Sequence, residues 1–219
     1  MSVKDTPSPP RILFWESTKA CNLRCRHCRA VPMLEPSAEE LNSQEARDLI
    51  DSAALLGVKL FVFSGGEPLL RDDLFELLGH SKRAGMKSAI ASNGTMIEQS
   101  HAKGFKELGV SRISISLDGA SARVHDAFRG EEGSFHRAIE GARHLQRELQ
   151  AFQINTSVTK QNMNSLSAVI DLAEDLGAEA VHLFFLVPVG CGAEIPEDER
   201  ISSKEYEELL EWFADELER

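Results

Sequence analysis

The sequence is most informative first in what it lacks. Basic residues are scarce: 24 Lys and Arg stand against 35 Asp and Glu, for a formal charge of −11 over 219 residues. That balance excludes bulk, sequence-independent binding to nucleic acid, which needs a basic surface to neutralise phosphates. No apolar run approaches the ~20 residues that a membrane-spanning helix requires. The first eleven residues are polar and carry Pro7, Pro9 and Pro10, so they hold no apolar core of a secretion signal. A disulfide framework is missing too, because three of only four cysteines crowd into one short stretch and the fourth lies far away. A reducing, cytoplasmic setting is the expectation.

What is present centres on that stretch, Cys21-Asn22-Leu23-Arg24-Cys25-Arg26-His27-Cys28, which puts thiols at i, i+4 and i+7. Structural zinc takes four ligands. A cubane iron–sulfur cluster is held by cysteine thiolates, normally four. His27 is an awkward fourth zinc ligand because it adjoins Cys28. Three thiolates on a cubane would leave one iron open to a substrate or cofactor. A redox pair is the bland reading of the Cys25–Cys28 spacing, and spacing alone leaves zinc and cluster both open.

The rest of the chain alternates strand and helix. Residues 1–10 read as a flexible lead, and 11–219 as one domain. Apolar runs at 12–15, 58–63, 86–91, 110–117, 152–158 and 180–186 read as buried strands. Between them lie amphipathic helices, such as the one opened by Asn42 and Glu45 in a capping box and carried by Ala46, Leu49, Ile50 and Ala53. Asp72 or Asp73 is expected to cap the second helix and Ser134 the helix after a polar loop through Arg129-Gly130. Strand–helix alternation of this kind implies a parallel α/β sheet, either doubly wound or closed toward a barrel. In both architectures ligands sit at the carboxyl ends of the strands. Those ends carry Glu16-Ser17-Thr18, Ser64-Gly65-Gly66-Glu67, Ser92-Asn93, Asp118-Gly119 and Thr159. The cysteine stretch leaves from the same rim.

The cysteine spacing after a first strand, with Gly65-Gly66-Glu67-Pro68 after the second, resembles the radical S-adenosylmethionine (SAM) superfamily over nearly the whole chain. The resemblance implies a partial (β/α)6 TIM-type barrel. It implies a [4Fe–4S] cluster on Cys21, Cys25 and Cys28, with the amino and carboxylate groups of SAM on the fourth iron. By the same resemblance Gly65, Gly66 and Glu67 would meet the methionine amine, and Ser92 and Asn93 would lie beside the cofactor. Ser116 and Asp118 would meet its ribose or methionyl part. Arg129 would pair with its carboxylate, a surface salt bridge being the plain alternative. Asn155, Ser157 and Leu186 would lie near the adenosine.

The run through His27 and the His125-Asp126-x-x-Arg129-Gly130 pattern resemble the SPASM branch of haem-forming and peptide-modifying members. Substrates implied are a haem-precursor tetrapyrrole or a ribosomal peptide, and the implied electron donor is a flavodoxin or ferredoxin. Members of that branch continue into an auxiliary-cluster segment, and no cysteines for one occur in these 219 residues. Cys191 is either a further ligand or an ordinary loop thiol. The rival from another class is a zinc-stabilised α/β binding protein without catalysis.

Overall fold

A computed structural model describes residues 9–216; residues 1–8, most of the expected lead, lie outside the described residues. Six strands form one parallel sheet in sequence order: β1 (Ile12–Glu16), β2 (Leu60–Ser64), β3 (Lys87–Ser92), β4 (Arg112–Ser116), β5 (Phe152–Val158) and β6 (Val181–Phe185). Parallel neighbours require crossovers, and helices supply them: α1 (Ser43–Leu55), α2 (Leu74–Arg83), α3 (Gln99–Leu108), then α4 (Ala122–Arg129) with α5 (Ser134–Arg147), and α6 (Leu166–Asp175). A last helix, α7 (Ser203–Glu216), follows β6. β1 and β6 each pair with a single strand, so the sheet is a half-barrel with an open side.

Local chemistry starts and stops these elements. The Asn42 carboxamide accepts from the backbone N–H groups of Gln44 and Glu45, while the Glu45 carboxylate accepts from the N–H of Asn42. This closes the capping box and saves about 1 kcal/mol of orphaned donors. α1 then buries Ala46, Ile50 and Ala53 against the sheet. The helix-facing side of the sheet carries the core: Phe61, Phe63, Ile90, Ile113, Ile115 and Ile154 are at most 1% exposed and pack with Ile50, Leu77, Phe105 and Leu145. Each such side chain contributes roughly 1.5–3 kcal/mol of burial.

The inner side follows from the register. Phe14 pairs Val62, Val62 pairs Ala89, Ala91 pairs Ser114, Ser116 pairs Asn155, and Ser157 pairs Phe184. Small and polar residues therefore line the middle of the half-barrel.

Four details differ from the sequence reading. β1 and β6 are not buried strands: Phe14 is 70% exposed and Phe184 49%. Their inner faces lie at the open side, where no strand completes the barrel. The stretch before Gly130 is the helix α4 rather than a loop, because Val124 and Phe128 share a face and Gly130 ends it at φ 69°. Gly133, not Ser134, precedes α5, and the Ser134 hydroxyl donates to Asp126. Asp73 precedes α2 without capping it, its carboxylate being taken by Arg71 and Ser43.

Candidate functional site

The chain between β1 and α1 carries the three cysteines across the carboxyl rim. Backbone contacts from three directions hold it. From β2, Gly66 N–H donates to Thr18 carbonyl and Glu67 N–H to Ala20 carbonyl, at 2.6 and 2.8 Å. From α4, the carbonyls of Arg129 and Phe128 accept from Arg24 and Arg26 N–H at 3.3 and 3.0 Å. After β6, Gly192 N–H donates to Cys28 carbonyl at 3.2 Å, and the Cys191 thiol to Ala30 carbonyl at 3.3 Å. Four glycines lie where the backbones meet. A Cβ would overlap the Thr18 carbonyl at Gly65, Ala20 at Gly66, Arg24 at Gly130 and Arg29 at Gly190. Gly65 (φ 135°), Gly130 (φ 69°) and Gly190 (φ 56°) also lie where side chains are disfavoured.

Cys21, Cys25 and Cys28 line one cavity of about 190 Å³ together with Gly65, Gly66, Ser92, Asn93, Ser116 and Arg129. A larger hollow of about 480 Å³ on the other flank of the loop touches only Cys25 of the three, with Cys191 at its edge. The smaller cavity gathers all three thiols and is therefore the candidate site. Burial pushes the Cys21 and Cys28 thiols above their ordinary range. All four cysteines are free thiols. Among the described residues no three His, Cys, Asp or Glu side chains gather closely enough to share one metal ion. Three thiols facing one cavity fit a cluster, in which each thiolate would take a different iron.

The other expected site residues divide in two. Glu67 lies at the rim but turns inward: fully buried, it accepts from Ser92 hydroxyl at 2.9 Å, Asn93 N–H at 2.8 Å and Leu69 N–H at 3.3 Å. Burial raises its carboxyl to about 7 despite those bonds. Asn93 in turn donates to Asn22 at 2.8 Å and stands 4.0 Å from the Cys21 sulfur. Asp118, Asn155, Ser157 and Leu186 do not line the cavity. Asn155 is nevertheless the register partner of Ser116, which does.

Arg129 and Asp118 form a buried pair. Arg129 Nε lies 2.6 Å from Asp118 Oδ2, with side chains 8% and 0% exposed, so the surface-bridge alternative for Arg129 fails. The two atoms are in direct ionic contact. Arg129 Nη1 donates to the Cys25 sulfur at 3.6 Å. Burial opposes the guanidinium charge, but Asp118 and Cys25 outweigh it and hold Arg129 above its ordinary value. Burial likewise opposes the Asp118 charge, and Arg129 outweighs it, leaving that carboxyl below its usual range. Ser157 N–H donates to Asp118 at 2.8 Å, and Asn162 ties the Asp118 and Ser157 carbonyls together.

The sequence reading missed Gly130, Gly190 and Asn162 in these roles, and two neutral histidines. His27 stacks on Phe128 at 4.3 Å, and His125 Nδ1 accepts from Asp118 N–H at 3.2 Å. Burial lowers both to about 4.

The radical SAM superfamily pattern matches residues 15–173. The AdoMet-dependent heme synthase of Oleidesulfovibrio alaskensis is 42% identical over 214 residues, covering 98% of this chain and 55% of that protein. The mycofactocin maturase MftC of Mycolicibacterium smegmatis is 32% identical over 206 residues, covering 94% of this chain and 52% of that protein. The crystal structure of Streptococcus suis SuiB bound to precursor peptide SuiA shares the fold, with a TM-score of 0.83 at 19% identity, covering 96% of this chain and 46% of that one. The chain thus spans about half the length of the curated relatives it matches.

Proposed function

This chain belongs to the radical SAM superfamily, and on that premise we propose that it is the catalytic core of an enzyme that forms a substrate radical, with a haem-precursor tetrapyrrole as substrate. The single observation that carries the reading is the gathering of Cys21, Cys25 and Cys28 in one cavity with Gly65, Gly66, Ser92 and Asn93. The three thiolates would hold a [4Fe–4S] cluster and leave one iron for the amino and carboxylate groups of SAM. Bound there, cluster and SAM would supply the hard chemistry, one-electron reductive cleavage of SAM and abstraction of hydrogen from the substrate.

The chain's own residues position and exclude. The exposed backbone at Gly65-Gly66 would approach the methionine amine, and Arg129 the carboxylate. Glu67 holds the Ser92-Asn93 corner from behind, so its part is to place Asn93 beside Cys21. Ser116 and Asn155 would face the ribose side, with Ser157 and Leu186 further along the same end of the sheet. Asp118 reaches the site through Arg129 and Ser157. A flavodoxin or ferredoxin would deliver the electron. Free thiols suit a reducing cytoplasm, and among the described residues no helix is long and apolar enough to cross a membrane.

Identity supports the tetrapyrrole over a ribosomal peptide, at 42% to the heme synthase against 32% to the peptide-system maturase. Anaerobic reconstitution tests the core: a brown protein with about four irons per chain is expected, and 5′-deoxyadenosine on addition of SAM and dithionite. A colourless protein with one zinc, or no 5′-deoxyadenosine above a Cys25→Ala control, overturns it. For the substrate, a haem precursor should raise 5′-deoxyadenosine formation. A rise only with a peptide reverses that choice.

A further inference from the structure

Burying an ion pair is costly, and such a pair is weak grounds for stability. The Arg129–Asp118 pair is buried and stands against a cysteine sulfur. Its placement is rigid from both sides. The backbone of Phe128 and Arg129 is bonded to the cysteine loop itself, at Arg26 and Arg24. Asp118 is fixed from β5 by the Ser157 N–H and from α4 by His125.

We propose that Arg129 and Asp118 are an opposed pair of positioning residues that set the reduction potential of a cluster held by Cys25. The inference rests on the cluster reading above and goes beyond it. Reduction adds one electron and no proton to the cluster, so the reduced form carries more negative charge on its sulfurs. A cationic donor on a ligating sulfur favours that form and raises the potential, since hydrogen bonds to sulfur and net charge are what tune such clusters. Asp118, 2.6 Å behind the guanidinium, offsets part of that pull. Arg129 thereby eases electron entry, and Asp118 keeps the reduced cluster a strong donor.

The test is a redox titration of the anaerobically reconstituted protein, followed by electron paramagnetic resonance without SAM, so that cofactor binding plays no part. Arg129→Met is expected to lower the midpoint potential and Asp118→Asn to raise it, while Arg129→Lys, which keeps the charge, stays closer to wild type than Arg129→Met. A purely structural role would not move the two partners in opposite directions. Where Asp118→Asn fails to fold, the comparison of Arg129→Lys with Arg129→Met decides. An Arg129→Met potential at or above the wild-type value overturns the proposal and leaves the cluster reading standing. A wild-type protein that assembles no cluster overturns that reading, and the proposal with it.

Discussion

The cysteine loop and the open edges of the half-barrel are built on opposite principles. At the loop, backbone meets backbone so closely that Gly65, Gly66, Gly130 and Gly190 admit no Cβ. At the edges, Phe14 and Phe184 stand 70% and 49% exposed on the inner faces of β1 and β6. The contrast separates what must be held from what must stay open. The cysteine loop is fixed by close backbone contacts, whereas the two edges leave large apolar side chains in water.

Substitutions should break this contrast in a graded way. The largest effect is expected from Gly66→Ala, whose methyl would overlap the Ala20 carbonyl. Overpacking of that kind costs about 3 kcal/mol, and iron content after reconstitution should fall sharply. Gly190→Ala combines a positive φ with overlap at Arg29 and should cost about 2 kcal/mol. Denaturant unfolding together with iron analysis measures both, and retention of full iron content by Gly66→Ala would remove the clamp argument.

A pH-dependent effect should come from behind the loop. His125 is held near 4, below its ordinary 6.5. Between those values the unfolded chain binds more protons, so stability rises with pH through that window and is lost as pH falls through it. The contribution is at most about 3 kcal/mol at pH 4. Denaturant titrations of the cluster-free protein at several pH values should show a shallower slope from pH 6.5 to 4 in His125→Gln than in wild type.

At the far end of the scale, Phe14→Ser should change stability by no more than about 0.5 kcal/mol, as for other exposed positions. If the inner edge meets a flat apolar substrate, the same change raises KM, read from 5′-deoxyadenosine formation against substrate concentration. A large loss of stability would show that the edge is not the open region its exposure indicates.

Most of the fold was legible in the sequence because apolar residues recur along each strand and most of the helices carry an apolar face. The limit of Phe152–Val158 is met to the residue. α4 was not legible, since its eight residues give only Val124 and Phe128 as an apolar pair among polar and charged neighbours. The exposed edges escaped notice for a different reason: Ile12-Leu13-Phe14-Trp15 is apolar at every position, and its periodicity carries no hint that one face lacks a cover. At the site, the thiols and the Gly65-Gly66 turn were visible as local motifs. The clamps at Gly130 and Gly190 were not, because the carbonyls that demand them belong to Arg24 and Arg29, remote in sequence. Glu67 was legible as important but not in direction, since only coordinates show its carboxylate consumed by Ser92 and Asn93.

The attachment of the cysteine loop to Gly190 and Gly192 has a consequence for the order of assembly. A ribosome delivers the three thiols early and Gly190 and Gly192, which close over the loop, more than a hundred residues later. At 5–20 residues per second the interval is on the order of ten to thirty seconds. Throughout it the nascent thiols lack their final enclosure, so a cluster held by them would be closed in only once the turn after β6 has been made.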